Sequence, residues 1–305
     1  MSALNPPASD PGALKKAPAP PHLVTKRALQ QARSGSRYSD STLQARLVRV
    51  AVPAGADLDL RLAAEELALA ALIHSHLMDI PLPSVSFANL ESKTVPCSAI
   101  GGDFSDAVAG EDSLCAVVAD VSGKGVPAAI VAAMLQGIIH AQMLARKPLA
   151  EIAATVNRFL CSRAPGKYAA MVLVKVQMDG TAEYLNCGHG APVVVKSNGV
   201  RRLDGRNAVV GLLSGAQYRA ERCQLHPGDR LLIFTDGIME AEDSSGRQFS
   251  ETQFDLLVHL PTTKQILDHV SNFADRRQQR DDWTVFQLRF DGGAQLPLHC
   301  ACAPR

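Results

Sequence analysis

This sequence has no excess of either charge, no long apolar run free of polar residues, no secretory leader and no disulfide-scaffold spacing. Each of these lacks narrows the function. Lys and Arg number 31 against 30 Asp and Glu, so nothing implies a nucleic-acid partner, whose footprint is a clear basic excess. The first residues are rich in Pro, Ala and Ser without an apolar core of leader type. The most apolar long stretch, Val126 to Leu144, carries Gln136, His140 and Gln142, which argues against a membrane span of ~20 residues. The seven cysteines are odd in number and sit mostly inside apolar runs, the pattern of free, reduced thiols in a cytoplasmic protein. Cys300-x-Cys302 has no second pair at zinc-finger spacing.

What is present divides the 305 residues into four parts. Residues 1–56 read as a disordered Pro/Ala-rich basic arm, with Pro6, Pro7, Pro11, Pro18, Pro20 and Pro21 among small residues. Within it Thr42 to Val52 alternates loosely and fits a strand or a helix start. Residues 57–82 hold a helix from about Leu60 to Met78, capped by Asp57 or Asp59 and closed before Pro81. Its leucines and alanines go most of the way round, so it wants cover on more than one side. A globular part follows over 83–291, then a tail over 292–305.

The globular part alternates short apolar runs with turn residues. Strands are expected at Ser84–Ala88, Leu90–Pro96, Leu114–Val118, Ala169–Val176, Ala182–Asn186, Arg230–Phe234 and Trp283–Phe290, with hairpins at Asp179-Gly180 and around Ser197-Asn198-Gly199. Helices are expected at Ala128–Ala145, with Ile130, Met134, Gly137 and Ile138 on one side, and at Leu149–Cys161, Phe254–Leu260 and Thr263–Ala274.

Chemistry gathers at strand boundaries. Asp120 follows an apolar strand and precedes Ser122-Gly123-Lys124-Gly125-Val126-Pro127, a tight turn into a helix whose first turn accepts Pro127. A P-loop is excluded, because Val118 stands five before Gly123 and Gly125 follows Lys124. Gly101-Gly102-Asp103-Phe104 lacks the second acid of a nucleotide-cyclase signature. Asp103, Asp120, Asp236 and Asp281 each mark a strand end, the first and third against Gly102 and Gly237. One such Asp is an ordinary turn residue. Four together point to a hard cation, because clustered carboxylates without countercharge repel. With almost no histidine and no cysteine beside them in sequence, Mn²⁺ or Mg²⁺ suits them better than zinc or copper.

Five ordered blocks, Gly-Gly-Asp-Phe-Ser-Asp (101–106), Asp-Val-Ser-Gly-Lys-Gly-Val-Pro-Ala-Ala (120–129), Asn-Cys-Gly-His-Gly-Ala-Pro (186–192), Pro-Gly-Asp-Arg-Leu-Leu-Ile-Phe-Thr-Asp-Gly-Ile-Met-Glu (227–240) and Asp-Asp-Trp-Thr (281–284), resemble the metal-dependent PPM-type protein serine/threonine phosphatases of the SpoIIE/RsbU-like subfamily. The resemblance implies an α+β fold: an antiparallel β-sandwich flanked by helix pairs, with two Mn²⁺ or Mg²⁺ ions at one end. It implies Asp103 and Asp120 as the catalytic carboxylates, Asp120 bridging the metals, the Val121 carbonyl, Asp236 and Asp281 completing the ligands, and Asp282, Gly102, Gly237, Lys124 and His189 in support. His189 fits a proton donor to the leaving oxygen or a loop residue; Lys124 fits a phosphate attractor or a solvated lysine. Ser105 departs from the family, standing where an aromatic is common.

The implied reaction is hydrolysis of a protein phosphoserine or phosphothreonine by metal-activated water, without a phospho-enzyme. The implied setting is bacterial signalling on an anti-sigma-factor antagonist. The position of the 60–78 helix resembles the family's switch helix, at a homodimer contact or under an upstream regulator. A catalytically silent scaffold of the same fold is the alternative, and a small-molecule phosphatase a third reading.

Overall fold

The computed structural model describes residues 58–274 and 279–293; the arm expected over 1–56 and the tail cysteines Cys300 and Cys302 lie outside the described residues. The chain enters as α1 (Leu58–Met78), β1 (Ala88–Val95), β2 (Phe104–Ala109) and β3 (Ser113–Val121). It continues through α2 (Val126–Leu144), α3 (Leu149–Arg163), β4 (Ala169–Gln177), β5 (Thr181–Cys187), β6 (Val193–Lys196), β7 (Gly199–Arg202), β8 (Glu221–Gln224) and β9 (Arg230–Phe234). It ends with α4 (Asp236–Met239), α5 (Phe249–Thr252), α6 (Phe254–Leu257), α7 (Thr263–Phe273) and β10 (Trp283–Phe290).

The strands form two antiparallel five-stranded sheets, ordered β1-β10-β9-β6-β7 and β2-β3-β4-β5-β8. Period-two alternation decides what each strand faces. In β3, Leu114, Ala116 and Val118 meet Leu231, Ile233, Phe286 and Leu288 of the other sheet. Val117, Ala119 and Val121 turn instead to Leu135, Ile139, Ile152 and Val156 on α2 and α3. On the far side Leu232, Phe234 and Val285 pack with Leu257, Ile266 and Val270. The order of layers is therefore helix, sheet, sheet, helix, the α+β sandwich expected.

α2 is long and apolar enough to cross a bilayer, yet Ala128, Ala129, Ala132, Leu135, Gln136, Ile139 and Met143 are buried in the protein. Asp106, buried on β2, accepts a hydrogen bond from His140 Nδ1 at 2.8 Å and so ties this helix to the sheet. The stripe of Ile130, Met134 and Gly137 turns outward: Ile130 is 58% and Met134 49% exposed. The buried face pairs small Ala128, Ala129 and Ala132 in the first turns with Leu135, Ile139 and Met143 further along, so close packing is met by small residues at one end and large ones at the other.

Two local expectations change. Ser84–Ala88 is not a strand; Val85 makes only an isolated bridge to Ala88, after Pro81 and Pro83 have interrupted pairing. The helix expected over Phe254–Leu260 stops at Leu257, preceded by the separate turn α5. The Asp179-Gly180 hairpin forms as anticipated, Asp179 Oδ1 accepting from the Thr181 N–H at 2.8 Å.

α2 ends in a Schellman motif: Arg146 N–H reaches Met143 O at 2.9 Å and Lys147 N–H reaches Gln142 O at 3.1 Å. The residue at its left-handed position is Arg146, with φ of 54°, where glycine is usual. Relief of left-handed strain is worth ~1–2 kcal/mol and the extra backbone entropy of glycine costs ~0.5–1 kcal/mol. Arg146→Gly should therefore stabilise the fold by about 0.5–1 kcal/mol, read as a higher urea midpoint at unchanged slope. A lowered midpoint would show that the arginine side chain contributes more than its backbone costs.

Candidate metal centre

Antiparallel pairing sets the place. The start of β2 lies beside the end of β3 through Phe104↔Ala119, and the end of β9 beside the start of β10 through Phe234↔Val285. Asp103, Asp120, Asp236, Asp281 and Asp282 thus lie at one end of the stacked sheets. A hydroxyl relay joins the sheets there: Thr284 Oγ1 donates to Asp103 Oδ2 at 2.8 Å and lies 3.0 Å from Thr94 Oγ1. Thr235 Oγ1 in turn accepts the Thr284 N–H at 3.0 Å.

Asp282 organises the loops. Its Oδ1 accepts the Cys97 N–H at 2.8 Å, and its Oδ2 accepts Gly102 N–H at 2.8 Å and Asp103 N–H at 3.3 Å. Both oxygens are occupied by the backbone, which fits the supporting role the resemblance implies. Gly102 must be glycine because a Cβ there would stand 2.9 Å from the Val121 carbonyl oxygen. At Gly237 a Cβ would meet the Asp282 carbonyl oxygen at 2.1 Å, so the missing side chain lets the start of α4 approach the Asp281–Asp282 pair.

The electrostatics are those of crowded acids. Asp103 is 5% exposed, and burial and then the charge of Asp120 push its carboxyl well up. Burial, followed by Asp236 and Asp281, raises Asp120 to about 7. Among the described residues no ion pair reaches Asp103 or Asp120. A divalent cation is the group this donor set fits: hard oxygens, negative charge in excess, hydroxyls fixing the carboxylates from behind.

Lys124 is not simply solvated. Its Nζ pairs with Asp281 Oδ2 at 2.8 Å and also contacts the Arg280 carbonyl. His189 belongs to its loop: its N–H donates to Asn186 Oδ1 at 2.8 Å, Asn186 Nδ2 donates to its carbonyl at 2.9 Å, and its Nδ1 lies 3.0 Å from Gly190 O. Burial pushes the imidazole pKa down.

The expectation that no cysteine lies near the acids fails in space. Cys97 Sγ and carboxylate oxygens of Asp281 and Asp282 all lie within 4.8 Å of one another. Burial, then the two aspartates, push this thiol up to about 11. Cys97, Cys115, Cys161, Cys187 and Cys223 are free. Thr284 and Thr235 are the other residues missed in their roles, since a threonine in a strand carries no signal that its hydroxyl backs a carboxylate.

The raised Asp120 pKa has a sign that can be checked in chelator. Folded Asp120 holds its proton to about 7 against 3.8 for the free side chain, so stability is fully present below the lower value and is lost as pH rises through the higher one. Thermal denaturation in chelator should show a midpoint falling over that window, and Mn²⁺ should flatten the fall. A midpoint constant across the window in chelator would mean the carboxylates are not crowded as described.

The comparisons agree with this geometry. The family model described as Stage II sporulation protein E (SpoIIE) matches residues 110–291, a segment that begins after Asp103. Phosphoserine phosphatase RsbU of Bacillus subtilis is 24% identical over 234 residues, covering 73% of this chain and 70% of RsbU. Protein IcfG of Synechocystis is 23% identical over 254 residues, and there the match covers 71% of this chain and only 40% of the longer relative. The SiaA-PP2C domain of Pseudomonas aeruginosa superposes with a TM-score of 0.65 at 23% identity, covering 77% of this chain and 99% of that domain. With more than half of its length matched by the family model and a PP2C-like sandwich carrying its acids at one end, this chain belongs to the SpoIIE family of PPM-type phosphatases.

Proposed function

We propose that the chain is a cytoplasmic protein phosphoserine/phosphothreonine phosphatase that works with two divalent cations, Mn²⁺ or Mg²⁺. Asp103, Asp120, the Val121 carbonyl, Asp236 and Asp281 would hold them. The observation that carries this reading is the crowding of acids at this corner: burial and then Asp120 push Asp103 up, burial and then Asp236 and Asp281 push Asp120 up, and among the described residues no cationic side chain pairs with either. A bound metal pair supplies a water-derived nucleophile at neutral pH and neutralises charge on the phosphoryl oxygens.

The chain's own residues do the rest. Asp103 is held in one orientation by the Thr284 hydroxyl. Gly102 keeps the Val121 carbonyl accessible at the same corner. Lys124, half-exposed above Asp281, offers a positive charge at the mouth for an incoming phosphate. The substrate class follows RsbU, named a phosphoserine phosphatase, and an anti-sigma-factor antagonist is the phosphoprotein we favour. A silent scaffold is disfavoured because none of the expected carboxylates is missing.

α1 bears on regulation. Ala71 and Leu67 pack on Ile100, one residue before Gly101-Gly102-Asp103, and on Ala129, at the start of the helix that follows the Asp120 loop. Its other side leaves Leu69, Ile73 and Leu77 exposed. That surface would take a second subunit or an upstream regulator, whose binding moves α1 against the two loops.

Two measurements test this function. Asp120→Asn should lower kcat/KM on a phosphoprotein at least about 100-fold, beyond the ~10–100-fold typical of outer-shell changes in metal sites, with the circular dichroism of the fold retained. Near-normal turnover by that variant, or by wild type in excess chelator, would reject the two-metal reading. For α1, the double variant Leu62→Gln, Leu69→Gln alters residues on one helix face and should change the sedimentation coefficient or the basal rate. If both stay as in wild type, α1 is ordinary packing.

A further inference from the structure

We propose that Cys97 is a sulfur donor to the cation held at Asp281, so that this corner of the site takes thiophilic divalent ions such as zinc or cobalt(II). The inference rests on the metal-centre reading above and adds a ligand that the oxygen-donor set does not contain.

The chain places this thiol with some care. β1 ends at Val95, Pro96 stops its pairing with β10, and the next N–H, that of Cys97, donates to Asp282 Oδ1 at 2.8 Å. The contact fixes the Cys97 backbone against the acid pair that precedes β10. Its Sγ, one oxygen of Asp281 and one of Asp282 then lie within 4.8 Å of one another. Tetrahedral ligands at metal distances of 2.0–2.3 Å stand ~3.5 Å apart, a difference that small side-chain rotations close.

The neighbouring groups allow such an ion to bind. Asp282 accepts three backbone N–H groups, that of Cys97 among them, and keeps its supporting role as the outer partner that holds the thiol beside Asp281. Asp281 is half-exposed and faces the Nζ of Lys124, itself 52% exposed, so the ammonium can swing into solvent when a dication replaces it. On binding, the Cys97 S–H bond breaks, its proton leaves to solvent and a sulfur–metal bond forms, with no change of oxidation state. Carboxylate and water ligands alone suit manganese and magnesium; one thiolate shifts preference toward zinc and its spectroscopic surrogate cobalt. Zinc would then compete for this corner with the ion that supports turnover.

Cobalt titration of the full chain reads this without any assay of activity. Wild type should develop visible d–d bands together with a near-ultraviolet sulfur-to-cobalt charge-transfer band. Cys97→Ser should keep the d–d bands, lose the charge-transfer band and bind zinc at least about tenfold more weakly. Unchanged far-ultraviolet circular dichroism shows that this near-isosteric variant is folded. Two outcomes overturn the proposal while leaving the metal centre in place: d–d bands without charge transfer in wild type, and a charge-transfer band that persists in Cys97→Ser, which assigns the sulfur to another cysteine. If wild type gives no cobalt bands at all, the metal-centre reading fails first and this inference with it.

Discussion

A single carboxylate, that of Asp282, gathers the pieces on which the rest depends. It sits just before the last strand and accepts backbone N–H groups from Cys97, Gly102 and Asp103, so it pins the exit of β1 and the glycine pair that leads into β2. Charged acceptors of this kind are stronger than neutral ones, and this one is 5% exposed, where leaving those donors unpaired would be costly. Around that anchor the other aspartates are forced into proximity whether or not their charges favour it. The fold tolerates their repulsion because sandwich packing, three apolar layers deep, is supplied elsewhere.

Much of this is legible in the sequence for a physical reason. β9 and β10 fall at Arg230–Phe234 and Trp283–Phe290 as the apolar runs suggest, because buried strands have no polar alternation to blur their ends. The acids at their boundaries follow, since antiparallel neighbours bring the end of one strand to the start of the next. Asp120 reads less sharply: the apolar run ends at Val118, whereas the strand continues through Val121 and keeps Asp120 in its ladder opposite Ala170.

What sequence does not carry is contact across the chain. Cys97 meets Asp282 over a separation of 185 residues, and no local pattern announces a thiol beside an acid that distant. β8 is missed because Glu221–Gln224 is mostly exposed and held only at the sheet edge by β5, so it has no apolar run to betray it. On α2 the stripe of Ile130 and Met134 suggests the wrong face; the buried one joins Leu135, Ile139 and Met143 to alanines whose close packing a count of hydrophobic bulk undervalues.

The seating of α1 on Ile100 and Ala129 has a thermodynamic corollary. If the helix contacts hold the Asp103 and Asp120 loops in a cation-ready arrangement, then occupancy of the metals and occupancy of the outer face of α1 are linked functions. A partner that prefers the seated helix tightens metal binding by some factor, and the metals tighten the partner by that same factor. The cellular supply of divalent cation then acts as an input to the regulatory interface, and the phosphatase would register metal status and partner status through one equilibrium.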